Sequence, residues 1–172
     1  MSQPSAKQTM VQARFEALFR KGTELLQRGR AQEARHNLEL AHQLQPDHPD
    51  AAHNLSSAYI LSKQFRQAIP VLEKLLLQHP DNPHYWLNLG AAYLGNPILA
   101  QDNEQQRAIA AFEQALALNP ALPNAAYNIG LIYRDRGEKE AAITWFQRAL
   151  QSDPQDRHAQ QILQKLQREE EA

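Results

Sequence analysis

The sequence predicts an all-α protein, a solenoid of helical hairpins. Three observations carry this: residues 124–154 read as two amphipathic helices folded back on each other, their landmarks return three times upstream, and a proline closes each copy. In the first helix of that stretch Tyr127, Ile129, Ile132 and Tyr133 flank Gly130, which has no side chain to hold a neighbouring helix away. Gly137 then breaks the pattern. The second helix carries Ala142, Ile143, Phe146, Ala149 and Leu150 at the i, i+3, i+4, i+7 spacing of a buried face. Pro154 ends it, because proline lacks the N–H and clashes with the preceding turn. One such hairpin cannot bury its own apolar face, so copies must lie beside it.

They are present. The earliest copy carries Leu18, Gly22, Leu25, Gly29, Ala34, Leu38, Ala41 and Pro46. The next carries Leu55, Ser56, Tyr59, Ala68, Leu72, Leu75 and Pro80. The third carries Trp86, Leu89, Gly90, Tyr93, Ala108, Phe112, Ala115 and Pro120. Gly22, Ser56 and Gly90 stand 34 residues apart, and Gly130 follows after 40, the same period with six residues inserted. This period with these landmarks resembles the tetratricopeptide repeat (TPR) over roughly residues 14–156. The resemblance implies a right-handed TPR solenoid of four helix-turn-helix repeats, at about 14–48, 49–82, 83–122 and 123–156, with a C-terminal capping helix and a fraying tail in 157–172.

Taken in order, Met1 to Pro4 read as disordered, and Ser5 with Gln8 forms a capping box that starts the first helix before the repeat requires it. This extension, with Val11, Phe15 and Leu18 in line, is expected to cover the open N-terminal end of the stack. The linkers PDHPD, PDNPH and PALPN each pair a proline that closes one hairpin with a second where the next helix is expected to begin. Pro70 falls inside a predicted helix and is expected to remove one backbone hydrogen bond and bend it slightly. Residues 95–106, polar except for Ile98 and Leu99, hold the inserted segment and read as a tolerated loop extension, with a specificity role as the alternative. After Pro154, Ala159, Ile162, Leu163 and Leu166 make one narrow apolar stripe, with Gln160, Gln161, Gln164 and Gln167 facing the other way, as on a solvating cap.

Composition narrows the function. Hydrophobic residues are 42% and charged residues 22% of 172, as in a folded soluble domain. A net charge of −1 gives no electrostatic reason to expect nucleic acid or an acidic membrane as partner. With no cysteine there is no disulfide, thiol nucleophile or cysteine–zinc site. No apolar run suggests a signal or a membrane span, so a cytoplasmic protein is expected. No glycine-rich phosphate loop or catalytic grouping is present, and His48/His53 and His79/His84 are in the wrong phase for one helical face. Trp145 and Phe146 fit core packing between helices better than a ligand cage.

The resemblance also implies a groove lined by the first helix of every repeat. The residue two before the small landmark points into it: Asn54, Asn88 and Asn128, with Arg20 in the earliest repeat. An asparagine amide donates and accepts at once and so can bracket a peptide unit of an extended ligand. The arrangement is similar to the asparagine ladder of the TPR superhelix in O-GlcNAc transferase. The alternative is that these amides bond to neighbouring backbone and meet no ligand. The other groove positions are Glu16, Phe19, Thr23, His53, Ser57, Leu87, Ala91, Tyr127 and Leu131. The carboxylate clamp of TPR co-chaperones falls on Phe19, Thr23, Asn54, His84 and Asn88; only Asn54 matches, so that ligand is disfavoured. The expected function is to bind a protein or peptide partner as an extended segment, as a scaffold or adaptor, without catalysis, cofactor or metal. Two other readings stay open: a self-associating assembly protein whose terminal helix or insertion fills another copy's groove, and a non-catalytic subunit of an enzyme complex.

Overall fold

The structure is a computed structural model that describes residues 5–96 and 100–168; the expectations for Met1 to Pro4, for Ile98 and Leu99, and for the tail after Arg168 lie outside these. Among the described residues there are nine α-helices and no strand: α1 (Ala6–Gln27), α2 (Ala31–Leu44), α3 (Pro49–Leu61), α4 (Phe65–Gln78), α5 (Pro83–Leu94), α6 (Asp102–Leu118), α7 (Ala125–Asp135), α8 (Lys139–Ser152) and α9 (Arg157–Arg168). They fall into two compact units, Met1–Pro80 with α1 to α4 and Asp81–Ala172 with α5 to α9.

Prolines set where the second helices stop. Pro46, Pro80, Pro120 and Pro154 each stand two residues beyond the end of α2, α4, α6 and α8. The residue between, Gln45, His79, Asn119 or Asp153, has φ between −134° and −139° in every case. A following proline ring excludes the helical region for the residue before it, so each helix must end there. Helix starts are as regular. Ser5 Oγ accepts from the Gln8 amide at 3.3 Å while Gln8 Oε1 accepts from the Ser5 amide at 2.8 Å, which completes the expected capping box. Pro49 and Pro83 open α3 and α5. Pro123 does not open α7, because Asn124 takes a left-handed φ of 68° and the helix begins at Ala125. Pro70 lies inside α4, which nevertheless runs on to Gln78.

Within a hairpin the helices meet at the small residue. A methyl group built on Gly22 would lie 2.5 Å from Leu38 Cγ, one on Gly90 would lie 2.6 Å from Phe112 Cδ1, and one on Gly130 would lie 3.1 Å from Phe146 Cε1. Leu38, Phe112 and Phe146 are fully buried, as is Leu72 at the corresponding place in α4. Ser56, the small residue of α3, is also fully buried, and its hydroxyl donates to the His53 carbonyl at 2.7 Å.

Two further expectations are corrected. Residues 5–14 of α1 are all exposed, with Met10 at 74% and Val11 at 38%, and the core starts at Phe15, which packs on Ala41 and Ala51. The extension therefore adds no buried residue to the end, although Gln12 Oε1 on it accepts from Gln45 Nε2 at the end of α2 at 2.5 Å. The inserted segment is not all loop: α6 begins at Asp102 and runs 17 residues, against 14 in α2, α4 and α8. Glu104 Oε2 accepts from the Gln101 amide at 3.0 Å and fixes that start. Gln105 is 8% exposed; its Oε1 accepts from Arg136 Nε at 2.7 Å, so the lengthened helix is tied to the α7–α8 turn. The cap behaves as its stripe predicts. Ala159 and Leu166 are buried against Ala142 and Phe146, while Gln160, Gln161, Gln164 and Gln167 are exposed.

His42, half-buried on α2, has an Nδ1 with no hydrogen-bond partner among the described residues. Burial, and then Lys74, hold its pKa below the ordinary histidine value, with Asp47 opposing. An imidazole whose folded pKa lies below its unfolded one contributes stability above about pH 6.5 that is lost as pH falls. The melting temperature is therefore expected to drop between pH 7.5 and pH 5.5, and to drop less in His42→Gln. Parallel pH profiles for the two proteins would contradict this. The hairpin contacts give a second expectation. Gly90→Ala forces Phe112 to move and is expected to cost about 1–3 kcal/mol, more than the helix propensity gained. Gly130→Ala, with half an ångström more room, is expected to change stability by less than about 1 kcal/mol. Urea midpoints of the two variants check this, and equal midpoints would reject the contact geometry.

Candidate functional site

The first helices α1, α3, α5 and α7 carry all the groove positions expected from the sequence. In every repeat the small residue is buried and the residues three before, two before and one after it stay partly open. In the first unit these are Phe19, Arg20 and Thr23 on α1, and His53, Asn54 and Ser57 on α3; Arg20 is exposed and the other five are half-buried. In the second unit they are Leu87, Asn88 and Ala91 on α5, and Tyr127, Asn128 and Leu131 on α7, all half-buried. The same side of each first helix is thus left partly uncovered.

The polar members are not equivalent. Asn54 Nδ2 donates to Thr23 Oγ1 at 2.9 Å, and Thr23 Oγ1 donates to the Phe19 carbonyl at 2.9 Å. This chain of bonds joins α3 to α1, so half of the Asn54 amide is used inside the protein. The Asn128 side-chain amide has no hydrogen-bond partner among the described residues. Glu16 is exposed and accepts from Gln12 Nε2 at 2.8 Å. The apolar members lean into the core. Leu87 and Ala91 pack against the cluster around Phe112 and Ile129, and Leu131 packs against the one around Phe146 and Ala159. Tyr127 meets Phe146 edge to face at 5.6 Å, and burial raises its phenol pKa. Phe19 stacks on Phe15 at 5.7 Å, with the His48 ring 5.5 Å away.

Beyond these positions the structure brings together groups the repeat pattern did not single out. Tyr59 donates to Glu39 Oε1 at 3.1 Å across α2 and α3, and Arg35 Nε stands 3.7 Å from the same carboxylate oxygen. Burial, then Glu39, push the Tyr59 pKa up to about 12. Arg107 sits over the Tyr93 ring at 3.9 Å and Arg148 near the Trp145 ring at 5.1 Å. Trp145 itself packs on the core, so it forms no open cage. Two open crevices, of about 510 and 490 Å³, lie at the α7–α8 turn beside α9 and at the α3–α4 turn. Among the described residues no group of three or more His, Cys, Asp and Glu could hold a metal ion, and no helix is long and apolar enough to cross a membrane.

Comparison with known proteins places this architecture. Two family models described as tetratricopeptide repeat match residues 25–93 and 97–157. Peroxisomal targeting signal receptors of Kluyveromyces lactis and Saccharomyces cerevisiae are 30% and 31% identical over 106 residues, 61% of the chain. The chain spans only 18% and 16% of the length of these two receptors. Among solved structures, a thermophilic TPR protein from Thermus thermophilus superposes with a TM-score of 0.74 at 22% identity, over 88% of this chain and 80% of that one. MamA from Desulfovibrio magneticus RS-1 gives 0.70 at 24% identity, over 83% and 77%. These two likenesses speak for the fold alone. Helical hairpins closed by prolines, small residues at each hairpin contact and two matching family models agree: the chain is an all-α solenoid and belongs to the tetratricopeptide-repeat family.

Proposed function

We propose that the chain is a protein-binding scaffold that holds an extended segment of a partner against its first helices. One observation carries the reading: on α1, α3, α5 and α7 the same three positions beside the small residue stay partly open, although the small residue itself is buried. A face left partly open in every repeat is a face available to a ligand. The repeats are taken as 14–48, 49–82, 83–122 and 123–156, with residues 157–172 as the cap. The curated relatives are named as receptors for a targeting signal, which fits a peptide-binding role.

In this reading Asn54, Asn88 and Asn128 form an asparagine ladder similar to that of O-GlcNAc transferase. Packed helices stand about 8–10 Å apart, and an extended peptide advances about 3.3 Å per residue. Within the second unit, Asn88 and Asn128 then meet the ligand about three residues apart. Backbone contacts supply affinity with little sequence choice, while Phe19, Leu87 and Tyr127 select side chains.

A second reading, self-association, is favoured by α1, whose exposed first turns present Met10 and Val11. Light scattering across a concentration series separates the two. A mass that rises with concentration in the wild type, and not in Met10→Lys, supports self-association through α1.

For the first reading, peptides selected against the full chain from a displayed library are titrated into variants. Asn88→Ala and Asn128→Ala are each expected to weaken binding by about 0.5–1.5 kcal/mol. Undiminished affinity in the double variant would move the site elsewhere. Stability separates the ladder's members as well. Asn54→Ala breaks the bond to Thr23 and is expected to lower stability by about 0.5–1.5 kcal/mol, whereas Asn128→Ala leaves it within about 0.5 kcal/mol. Denaturant midpoints read the difference, and an equal loss in both would remove the distinction between them.

A further inference from the structure

The α3–α4 turn departs from its equivalents in a way that packing does not require. Gly29 and Gly137 occupy the left-handed position of the α1–α2 and α7–α8 turns, with φ of 73° and 75°. The backbone bonding is the same at all three turns: Gly29, Lys63 and Gly137 amides donate to Leu26, Ile60 and Arg134 carbonyls at 2.9, 3.0 and 3.0 Å. At the middle turn the residue is Lys63, with φ of 61°. A side chain in that region is strained where glycine is not, so something other than the turn favours lysine there.

Lys63 lines a crevice of about 490 Å³ together with Arg35, Gln64, Phe65, Arg66 and Gln67. Three of the six are cationic, and none is anionic. Glu39, beside Arg35 and bonded to Tyr59, offsets one charge, which leaves the group at +2. The Arg35 side chain is 31% exposed, and Lys63 and Arg66 are exposed, so this charge opens to solvent. The start of α4 adds to the same field. It has no side-chain cap and no acidic residue in its first turn, whereas α2, α6 and α8 carry Glu33, Asp102 with Glu104, and Glu140 there.

We propose that this crevice binds a phosphomonoester carried on a partner protein, a phosphorylated serine or threonine side chain. Such a group carries about −1.5 to −2 charge at neutral pH and three acceptor oxygens, which matches a +2 cluster of Arg35, Lys63 and Arg66 better than one carboxylate does. Phe65, half-buried at the same crevice, supplies an apolar wall for the stem of the residue that carries the phosphate. The site lies at a turn and not on the first-helix face, so it goes beyond the function proposed above and stands or falls separately.

The test is amide NMR of the full chain with four probes: N-acetyl-phosphoserine-N-methylamide, the same compound without phosphate, the glutamate analogue, and inorganic phosphate. Saturable shifts at residues 63–67 are expected with the phosphoserine probe, at least tenfold tighter than with the other three. Lys63→Gly and Arg66→Gln are each expected to weaken it at least fivefold. Lys63→Gly is expected to melt at or above the wild-type temperature, because glycine relieves the left-handed residue, and this separates loss of binding from loss of fold. Arg14→Gln, on the exposed start of α1, is the charge control and is expected to bind as wild type. No saturable shift, or equal affinity in Lys63→Gly and Arg66→Gln, would overturn the site. Inorganic phosphate or the glutamate analogue binding as tightly as phosphoserine would overturn its assignment to a protein-borne phosphoryl group.

Discussion

The structure depends on how closely two helices approach at one residue. Where Gly22, Gly90 or Gly130 faces Leu38, Phe112 or Phe146, the large residue fills the space that a larger neighbour would need. Close-packed interiors tolerate neither a void nor an overlap there. The close approach of the two helices within each of these hairpins follows from that fit. The fit is not identical throughout. Gly90 leaves about half an ångström less room against its ring than Gly130 does, so the third repeat is the more tightly specified of the two.

Most of this was legible in the sequence, because the signals are local and repeat. A proline every period forces the preceding residue out of the helical region, whatever surrounds it. Glycine at a fixed distance from leucine or phenylalanine marks the contact. The stripe on α9 could be read for the same reason, since one narrow apolar face needs only one neighbour. Three features depended on tertiary context and were missed. Nothing in residues 5–14 says whether a further element covers them. Asn124 takes a left-handed conformation that few residues adopt, so Pro123 could not start α7. The insertion looked like loop because it is polar, yet Asp102 to Gln105 continue a helix, held by Gln105 and Arg136 from another repeat.

The candidate site was legible in position but not in chemistry. The resemblance to the tetratricopeptide repeat picked out the half-buried side of each first helix. It could not say that Thr23 would take the Asn54 amide, because the two are 31 residues apart and meet only once α1 and α3 pack. Nor does spacing reveal that Leu87, Ala91, Tyr127 and Leu131 share their surface between the open face and the core. Lys63 was not singled out in the sequence, although it stands where Gly29 and Gly137 stand in their repeats. Its meaning needed Arg35, which lies 28 positions earlier and reaches the same crevice only through the packing of α2 beside α3.

The exposed start of α1 has a consequence for how the molecule opens. Its backbone amides are bonded only within their own helix, so hydrogen exchange there proceeds by fraying, restrained by the Ser5–Gln8 box and the bond from Gln45 to Gln12. From Phe15 onward the same helix cannot open without pulling a ring out from Ala41 and Ala51. A single unbroken helix thus contains two kinetic regimes. The step in protection falls within one turn of Phe15, with no break in the backbone to mark it.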